Sequence, residues 1–159
     1  MPSNLEEKFL AAWKGRRPWL PEPAQQYPFV ARECGIRDGE SFKNAAALEA
    51  IAVKERELRV ELPNFVADFA WPQYKVAVEM DGLAPGHMAF TGWVRDQRKG
   101  NRYSLFGWTL FRFCTLDMQD DKRIEEALTL VTIGLAAAGC PVEKTAEDLV
   151  KEINRMLES

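Results

Sequence analysis

Three acidic residues lie on two neighbouring segments whose apolar residues alternate as they do in β-strands. Asp68 lies in the apolar stretch Phe65–Trp71, and Glu79 and Asp81 lie at the end of the next stretch. Because side chains alternate across a strand, Glu79 and Asp81 are expected on the same face. A carboxylate in an apolar stretch needs hydrogen bonds, a cation or a metal to offset its burial. These acids are therefore the first candidates for a chemical site.

The spacing around the turn predicts that Asp68 and Glu79 are near neighbours. If Pro72-Gln73 joins two antiparallel strands, Asp68 lies about five positions from the turn and Glu79 about six to seven. Close carboxylates repel each other unless a cation lies between them, and an oxygen-rich cluster suits Mg²⁺. The alternative is that these acids form structural salt bridges with Lys75 or nearby arginines, or lie at solvated strand ends.

A basic segment follows the acidic one. The net charge of the chain is −3, which argues mildly against a nucleic-acid partner. The positive charges are nevertheless concentrated in this segment, and the segments on either side of it are acidic. The helical spacing of three and four residues predicts one cationic face, which favours phosphate contacts over a merely solvated surface. Its residues are Arg95, Arg98, Lys99 and Arg102. Arg16-Arg17 is a second candidate DNA contact.

Periodicity and turn residues predict the elements that position these groups. Ser3 and Glu6 form a capping box for a first helix, and Ser41 is a candidate cap for a second. The predicted elements are helices at about 4–14, 41–54, 93–106, 119–138 and 143–157, and strands at 57–62, 65–71, 74–80 and 108–114. The proline-rich segment 16–28 and the glycine-rich segment 82–92 are predicted loops.

Length and composition indicate one α/β domain over 1–159, with a core at about 3–114 and a C-terminal helical extension at about 117–159. With 159 residues, 47% of them apolar, the chain can bury a core without a metal or a disulfide. The three cysteines form no CxxC pair, which argues against zinc and favours a reducing compartment. The sequence shows no signal peptide or membrane span, so a cytoplasmic location is expected.

Several of these segments together resemble the small phage and bacterial nucleases of the PD-(D/E)XK, or restriction-endonuclease-like, superfamily. The resemblance spans about residues 65–113, and it is carried by Ala67–Pro72, Lys75–Gly82, Gly86-His87, Asp96, Lys99, Asn101 and Leu105–Phe113. It implies an αβββαβ core with a mixed sheet flanked by helices, which agrees with the order of the predicted elements. It also implies an aspartate on the second strand, here Asp68, and an acid two residues before a lysine on the third.

The chain departs from this motif at Asp81, which stands where the family has lysine. In similar proteins with the Glu-x-Asp-Gly ending, the cation moves to the following helix, which makes Lys99 the natural substitute and leaves Lys75 as the alternative. The family's glutamate on the first helix corresponds to Glu7 or Glu6.

The resemblance implies metal-assisted hydrolysis of phosphodiester bonds. Asp68 and Glu79 would hold Mg²⁺, or Mn²⁺ in its place, with the Met80 carbonyl and Asp81 as further ligands. Lys99 would orient the attacking hydroxide or stabilise the transition state. His87, the only histidine, has the intrinsic pKa of a general acid, and the alternative is a solvated or phosphate-contacting residue.

The function implied is a bacterial or phage-encoded endodeoxyribonuclease that selects DNA structure, with Holliday-junction resolution by a homodimer as the favoured variant. A mismatch-repair or nicking endonuclease is an alternative within the same class. A catalytically inactive relative that only binds nucleic acid or a protein, and an unrelated α/β protein with ordinary salt bridges, are the alternatives from other classes.

Overall fold

The computed structural model of the chain describes residues 3–37, 44–82, 90–143 and 146–158. The predicted helix cap Ser41 and the candidate general acid His87 lie outside these residues. The helices are α1 (Asn4–Arg16), α2 (Phe29–Glu33), α3 (Ala45–Leu58), α4 (Phe90–Leu105), α5 (Asp121–Ala137) and α6 (Ala146–Glu158). The strands are β1 (Ala24–Tyr27), β2 (Ala67–Trp71), β3 (Val76–Asp81) and β4 (Thr109–Cys114).

The four strands form one mixed sheet in the order β1-β2-β3-β4. β1 and β2 are antiparallel, β2 and β3 are antiparallel, and β3 and β4 are parallel. The parallel pair requires a crossover, and α4 provides it. The predicted α/β class and mixed sheet are confirmed.

One predicted strand is wrong. Residues 57–62 do not join the sheet, because α3 continues to Leu58 and the chain then turns at Arg59, whose φ is 57°. The Leu62 amide donates to the Glu55 carboxylate at 3.1 Å, so a side chain satisfies this backbone group in place of a neighbouring strand. The strand that pairs with β2 is β1, in a segment predicted as loop. Its polar, mostly exposed residues lie at the edge of the sheet and do not alternate in hydropathy.

Each face of the sheet covers its own apolar core. α1 and α5 cover one face with large side chains such as Phe9, Trp13 and Leu128. α3 and α4 cover the other face, where Ile51 and Tyr103 are buried. Helices therefore pack on both sides of the sheet, as expected for this class.

Strand β3 divides its side chains between the two cores as its alternation predicts. Val76, Val78 and Met80 belong to the core under α1 and α5, whereas Ala77 belongs to the core under α4. Glu79, which alternates with Val78 and Met80, therefore emerges on the α4 side of the sheet. The same alternation carries Asp81 to this face.

Three local predictions about helix ends are confirmed. Ser3 and Glu6 form a complete capping box at the start of α1. Gly107 follows α4 with a φ of 75°, a left-handed conformation that glycine adopts without strain. α5 and α6 are separate helices, divided at Gly139, whose φ is 95°.

Within the described residues, no helix is long and apolar enough to cross a membrane.

Candidate functional site

The site forms where β2 and β3 stop pairing. The last partners in the antiparallel register are Phe69 and Val78, and one further step places Asp68 opposite Glu79. Beyond this point the Met80 amide donates to Asp68 Oδ2 at 2.8 Å. A side-chain carboxylate thus accepts a backbone hydrogen bond at the opening between the two strands, and Asp68 is held beside Glu79.

Glu79 is 6% exposed and accepts two hydrogen bonds on one oxygen. Tyr103 Oη donates to Glu79 Oε1 at 2.6 Å, and Lys99 Nζ lies 2.7 Å from the same atom. Burial raises the pKa of Glu79 to about 7 although the Lys99 charge opposes the shift, and the neighbouring Asp68 charge raises it further. Glu79 therefore exchanges its proton near neutral pH.

The pKa of Asp68 is raised as well. Burial raises its pKa, whereas the Met80 amide and a hydrogen-bonding contact with Glu79 lower it. The charge of Glu6 raises this pKa as well. The two carboxyl groups are thus close enough to share a proton or a cation, which is the arrangement the turn spacing predicts.

Glu6, one of the two candidate glutamates on α1, acts on Asp68 of this pair through its charge. It is 8% exposed, and its two carboxylate oxygens accept from the Ser3 amide at 2.6 Å and from Gln26 Nε2 at 2.7 Å. Glu7 is exposed on the same helix. The charge of Glu6 therefore acts on Asp68, whereas Glu7, the other candidate, lies on the solvent-exposed side of α1.

Of the two candidate lysines, Lys99 contacts Glu79 and Lys75 contacts other groups. Lys99 extends from α4, with its side chain 19% exposed. Lys75 precedes β3 at the opposite end of the strand, where its Nζ donates to the Phe106 carbonyl at 3.2 Å and lies 3.9 Å from Glu33.

Asp81 shares the face of Glu79 but is bound to an arginine. Arg112 Nε lies 2.9 Å from Asp81 Oδ2, and Arg112 is the β4 residue in parallel register with Glu79. The same guanidinium contacts the Asp96 carbonyl at 3.2 Å and its carboxylate at 3.7 Å. Asp81 therefore forms one of the arginine salt bridges that the alternative interpretation expected.

The four cations of α4 do not share one environment. Lys99 is turned inward to Glu79, and Arg102 Nε donates to the Glu61 carbonyl at 2.8 Å. Arg95 and Arg98 are exposed, and no salt bridge to either is found within the described part of the chain. Of the predicted DNA contacts, these two are the most accessible to a phosphate.

Three side chains of the site escape sequence reasoning. Tyr103 is buried and donates to Glu79, Arg112 binds Asp81, and Gln26 binds Glu6. Two of these residues were detectable in the sequence, because Tyr103 lies four residues after Lys99 on the same helix face and Arg112 interrupts an apolar strand. Gln26 was not detectable, because its strand has no hydrophobic pattern.

The donor set suits a hard cation that needs few protein ligands. Among the described residues, no group of three or more histidine, cysteine, aspartate or glutamate side chains is arranged to hold a metal ion. Asp68 and Glu79 offer two neighbouring carboxylates, and Mg²⁺ binds through one or two carboxylates while keeping several waters. The pair therefore fits Mg²⁺ or Mn²⁺ with water as the remaining ligands. It does not fit an ion that is coordinated by protein side chains alone.

Comparisons of the chain with models of protein families, with curated proteins and with solved structures find no significant match.

Proposed function

We propose that the chain is a Mg²⁺-dependent endodeoxyribonuclease that hydrolyses phosphodiester bonds at the Asp68–Glu79 pair. The observation that carries the proposal is the contact between the half-buried Asp68 and the buried Glu79, with Lys99 Nζ 2.7 Å from Glu79. Two carboxylates and a cation at one strand opening form the minimal set for metal-assisted phosphoryl chemistry.

Each residue has a role that follows from its position. Asp68 and Glu79 would hold the ion, with the Met80 carbonyl as a further ligand beside the opening between β2 and β3. When bound, Mg²⁺ supplies an acidified water and positive charge beside the phosphate. Lys99 would orient the nucleophile or offset the negative charge of the transition state.

The surface beside the pair suits a polyanion. Arg95 and Arg98 are exposed on the helix that also carries Lys99, so phosphates held by these arginines would lie close to the carboxylates. Backbone phosphate contacts position a nucleic acid without reading its sequence. This supports selection of DNA structure, with branched DNA such as a four-way junction as the first substrate to try.

The topology supports the same class. With α2 and α3 treated as an insertion between β1 and β2, the remaining order α1, β1, β2, β3, α4, β4 is the αβββαβ order of the restriction-endonuclease-like core. A sheet order can host many functions, so the topology supports the nuclease class only together with the site residues.

A catalytically inactive nucleic-acid-binding relative is the second candidate. Two ion pairs favour it, because Lys99 neutralises Glu79 and Arg112 neutralises Asp81. In such a protein the acids would serve packing, and the exposed arginines of α4 would still bind phosphates.

One assay separates the candidates. Labelled linear, nicked, mismatched and four-way-junction DNA is incubated with the purified chain in Mg²⁺, Mn²⁺ or EDTA. We expect metal-dependent cleavage that falls at least about 100-fold in Asp68→Asn and in Glu79→Gln, with DNA affinity nearly unchanged. Glu147→Gln, which alters an exposed glutamate on α6, is the control and should cleave normally.

Each other result has its own meaning. Binding without cleavage, unchanged by Asp68→Asn, favours the inactive relative. If the chain neither binds nor cleaves DNA, the result favours an unrelated α/β protein.

A further inference from the structure

The inner face of α4 is fastened to the sheet at two points, Glu79 of β3 and Arg112 of β4. Asp96, Lys99, Gly100 and Tyr103 follow one another at spacings that place them on the same side of a helix. Lys99 and Tyr103 bind Glu79 of β3. Asp96 binds Arg112 of β4. A side chain on Gly100 would lie only 3.9 Å from Arg112 Nη1, so helix and guanidinium are in close proximity.

Arg112 joins three elements with one side chain. Its Nε donates to the carboxylate of Asp81 on β3 at 2.9 Å, and its Nη1 donates to the Asp96 carbonyl at 3.2 Å. Its Nη2 lies 3.7 Å from the Asp96 carboxylate. The planar guanidinium presents several donors in a fixed geometry, whereas a lysine ammonium is a single point charge that cannot span both partners in this way.

The position of Asp96 makes this contact relevant to the site. Asp96 lies one helical turn before Lys99, so the bridge to Arg112 fixes the part of α4 from which Lys99 extends. The Arg112 side chain is 32% exposed, and the side chains of Asp81 and Asp96 are 43% and 53% exposed, so the fixed geometry of the guanidinium donors, and not burial, defines this bridge. The same bridge occupies the carboxylate of Asp81.

We propose that Arg112 is a positioning residue: it fastens α4 to β3 so that Lys99 reaches Glu79, and it keeps Asp81 bound outside the carboxylate pair. The catalytic part of this inference rests on the proposed nuclease function. The placement of Lys99 does not, and it is measurable without any activity.

The first test measures the accessibility of Lys99 in the full chain. Wild type, Arg112→Met and Arg112→Lys are treated with limiting acetic anhydride, and modification of each lysine is followed by mass spectrometry. We expect Lys99 to react at least about 3-fold faster in Arg112→Met, because its ion pair with Glu79 opens more often. Arg112→Lys should be intermediate, and Lys151 on α6 should be unaffected. Arg155→Met, at an exposed arginine of α6, is the matched control.

The second test separates the effect of Arg112→Met on kcat from its effect on KM for DNA. We expect Arg112→Met to lower kcat by about 10- to 100-fold with KM for DNA changed less than about 2-fold, since Lys99 is misplaced while the exposed arginines are intact. A rise in KM with normal kcat would instead make Arg112 a DNA contact and overturn the proposal.

The two readouts keep the proposals distinguishable. Unchanged Lys99 reactivity in Arg112→Met overturns the positioning role whatever the activity. If Lys99 is modified faster in Arg112→Met but the wild type cleaves no DNA, Arg112 still places Lys99 and the proposed nuclease function is rejected. Should Arg112→Met fail to fold, Asp81→Asn removes the acceptor charge of the Nε contact, and the same rise in Lys99 reactivity is expected.

Discussion

At the scale of single residues, Glu79 shows how burial and charge set the chemistry of the site. It is enclosed beside Tyr103, Lys99 and Asp68, and burial raises its pKa to about 7. An ordinary glutamate has a pKa near 4.3 and is ionised at neutral pH. Glu79 therefore holds its proton over a pH range in which the unfolded chain has released it.

This difference predicts how stability depends on pH in metal-free buffer. Between about pH 4.3 and 7 the folded state binds one proton more than the unfolded state at this group, so the free energy of unfolding falls as pH rises. Glu79→Gln removes the titration. We expect the variant to gain on the order of 2 kcal/mol relative to wild type between pH 4.5 and 8.

Urea denaturation at several pH values in EDTA measures this difference. Glu147→Gln, at an exposed glutamate, should show a nearly constant difference from wild type. A constant difference for Glu79→Gln as well would mean that its pKa is not raised.

Two adjacent glutamates on α1 provide a second prediction at this scale. Glu6 is buried and its charge reaches Asp68, whereas Glu7 is exposed. Because a negative charge near the pair favours a bound cation, Glu6→Gln should weaken Mg²⁺ binding by about 3- to 10-fold. Glu7→Gln should leave it unchanged.

Isothermal titration calorimetry with Mg²⁺ compares the two variants. A larger loss in Glu7→Gln than in Glu6→Gln would show that the exposed residue is the helix glutamate that the family resemblance requires.

At the scale of elements, α4 combines two roles. Lys99 and Tyr103 extend from it to Glu79, and Arg95 and Arg98 are exposed on the same helix. The helix spans Phe90–Leu105 and is also the crossover between the parallel strands. One element thus links the sheet, the carboxylate pair and the cationic surface.

Substitutions of the two exposed arginines of α4 should affect DNA binding and not catalysis. Arg95→Ala and Arg98→Ala are each expected to weaken DNA binding and to reduce the slope of log K against log salt by about one. Arg155→Ala, an exposed arginine on α6, is the control. Fluorescence anisotropy with a labelled duplex or junction at several salt concentrations gives the slopes, and equal slopes for all three variants would remove α4 from the DNA-binding surface.

At the scale of the whole molecule, the arginine pair at the end of α1 is structural. Arg16-Arg17 is a candidate DNA contact in the sequence, and this interpretation is wrong for Arg17. Arg17 is 7% exposed and donates to Glu125, Thr129 and Thr132 of α5. It connects the chain after α1 to the helix that covers the same face of the sheet.

The two arginines should therefore differ in their effect on stability. Arg17→Met removes a buried cation that donates to Glu125, Thr129 and Thr132. Glu125 keeps Arg16 as a partner and both hydroxyls still donate to carbonyls of α5, so we expect a loss of about 1–3 kcal/mol in the free energy of unfolding. Arg16→Met breaks a more exposed pair with Asp121 and should cost less than about 1 kcal/mol. Urea denaturation measures both, and a similar loss in the two variants would contradict the burial argument.

The predicted homodimer stays a prediction. Leu149, Ile153 and Leu157 form an apolar stripe on α6, in which Leu149 and Ile153 are buried within the chain and Leu157 is 63% exposed. The stripe therefore contributes chiefly to the core of one chain.

Local patterns were sufficient for much of this molecule. The capping box at Ser3, the alternation of β3 and the cationic repeat of α4 each depend on residues close in sequence, where helix and strand geometry decide which side chains share a face. The proximity of Asp68 and Glu79 followed from a short turn. These features were predictable because their partners lie within a few residues or across one hairpin.

Tertiary structure alone decided which strand completes the sheet and which partner each charged group has. β1 is polar and forms a strand because it pairs with β2. Arg112 contacts Asp81 and Asp96 only because β4 lies parallel to β3 and beneath α4. The sequence determined the helices, the central strands and the set of chemical groups. Only the packed chain selected Glu6 over Glu7 and Lys99 over Lys75 as neighbours of the carboxylate pair, because burial and long-range contacts depend on residues that no local pattern connects.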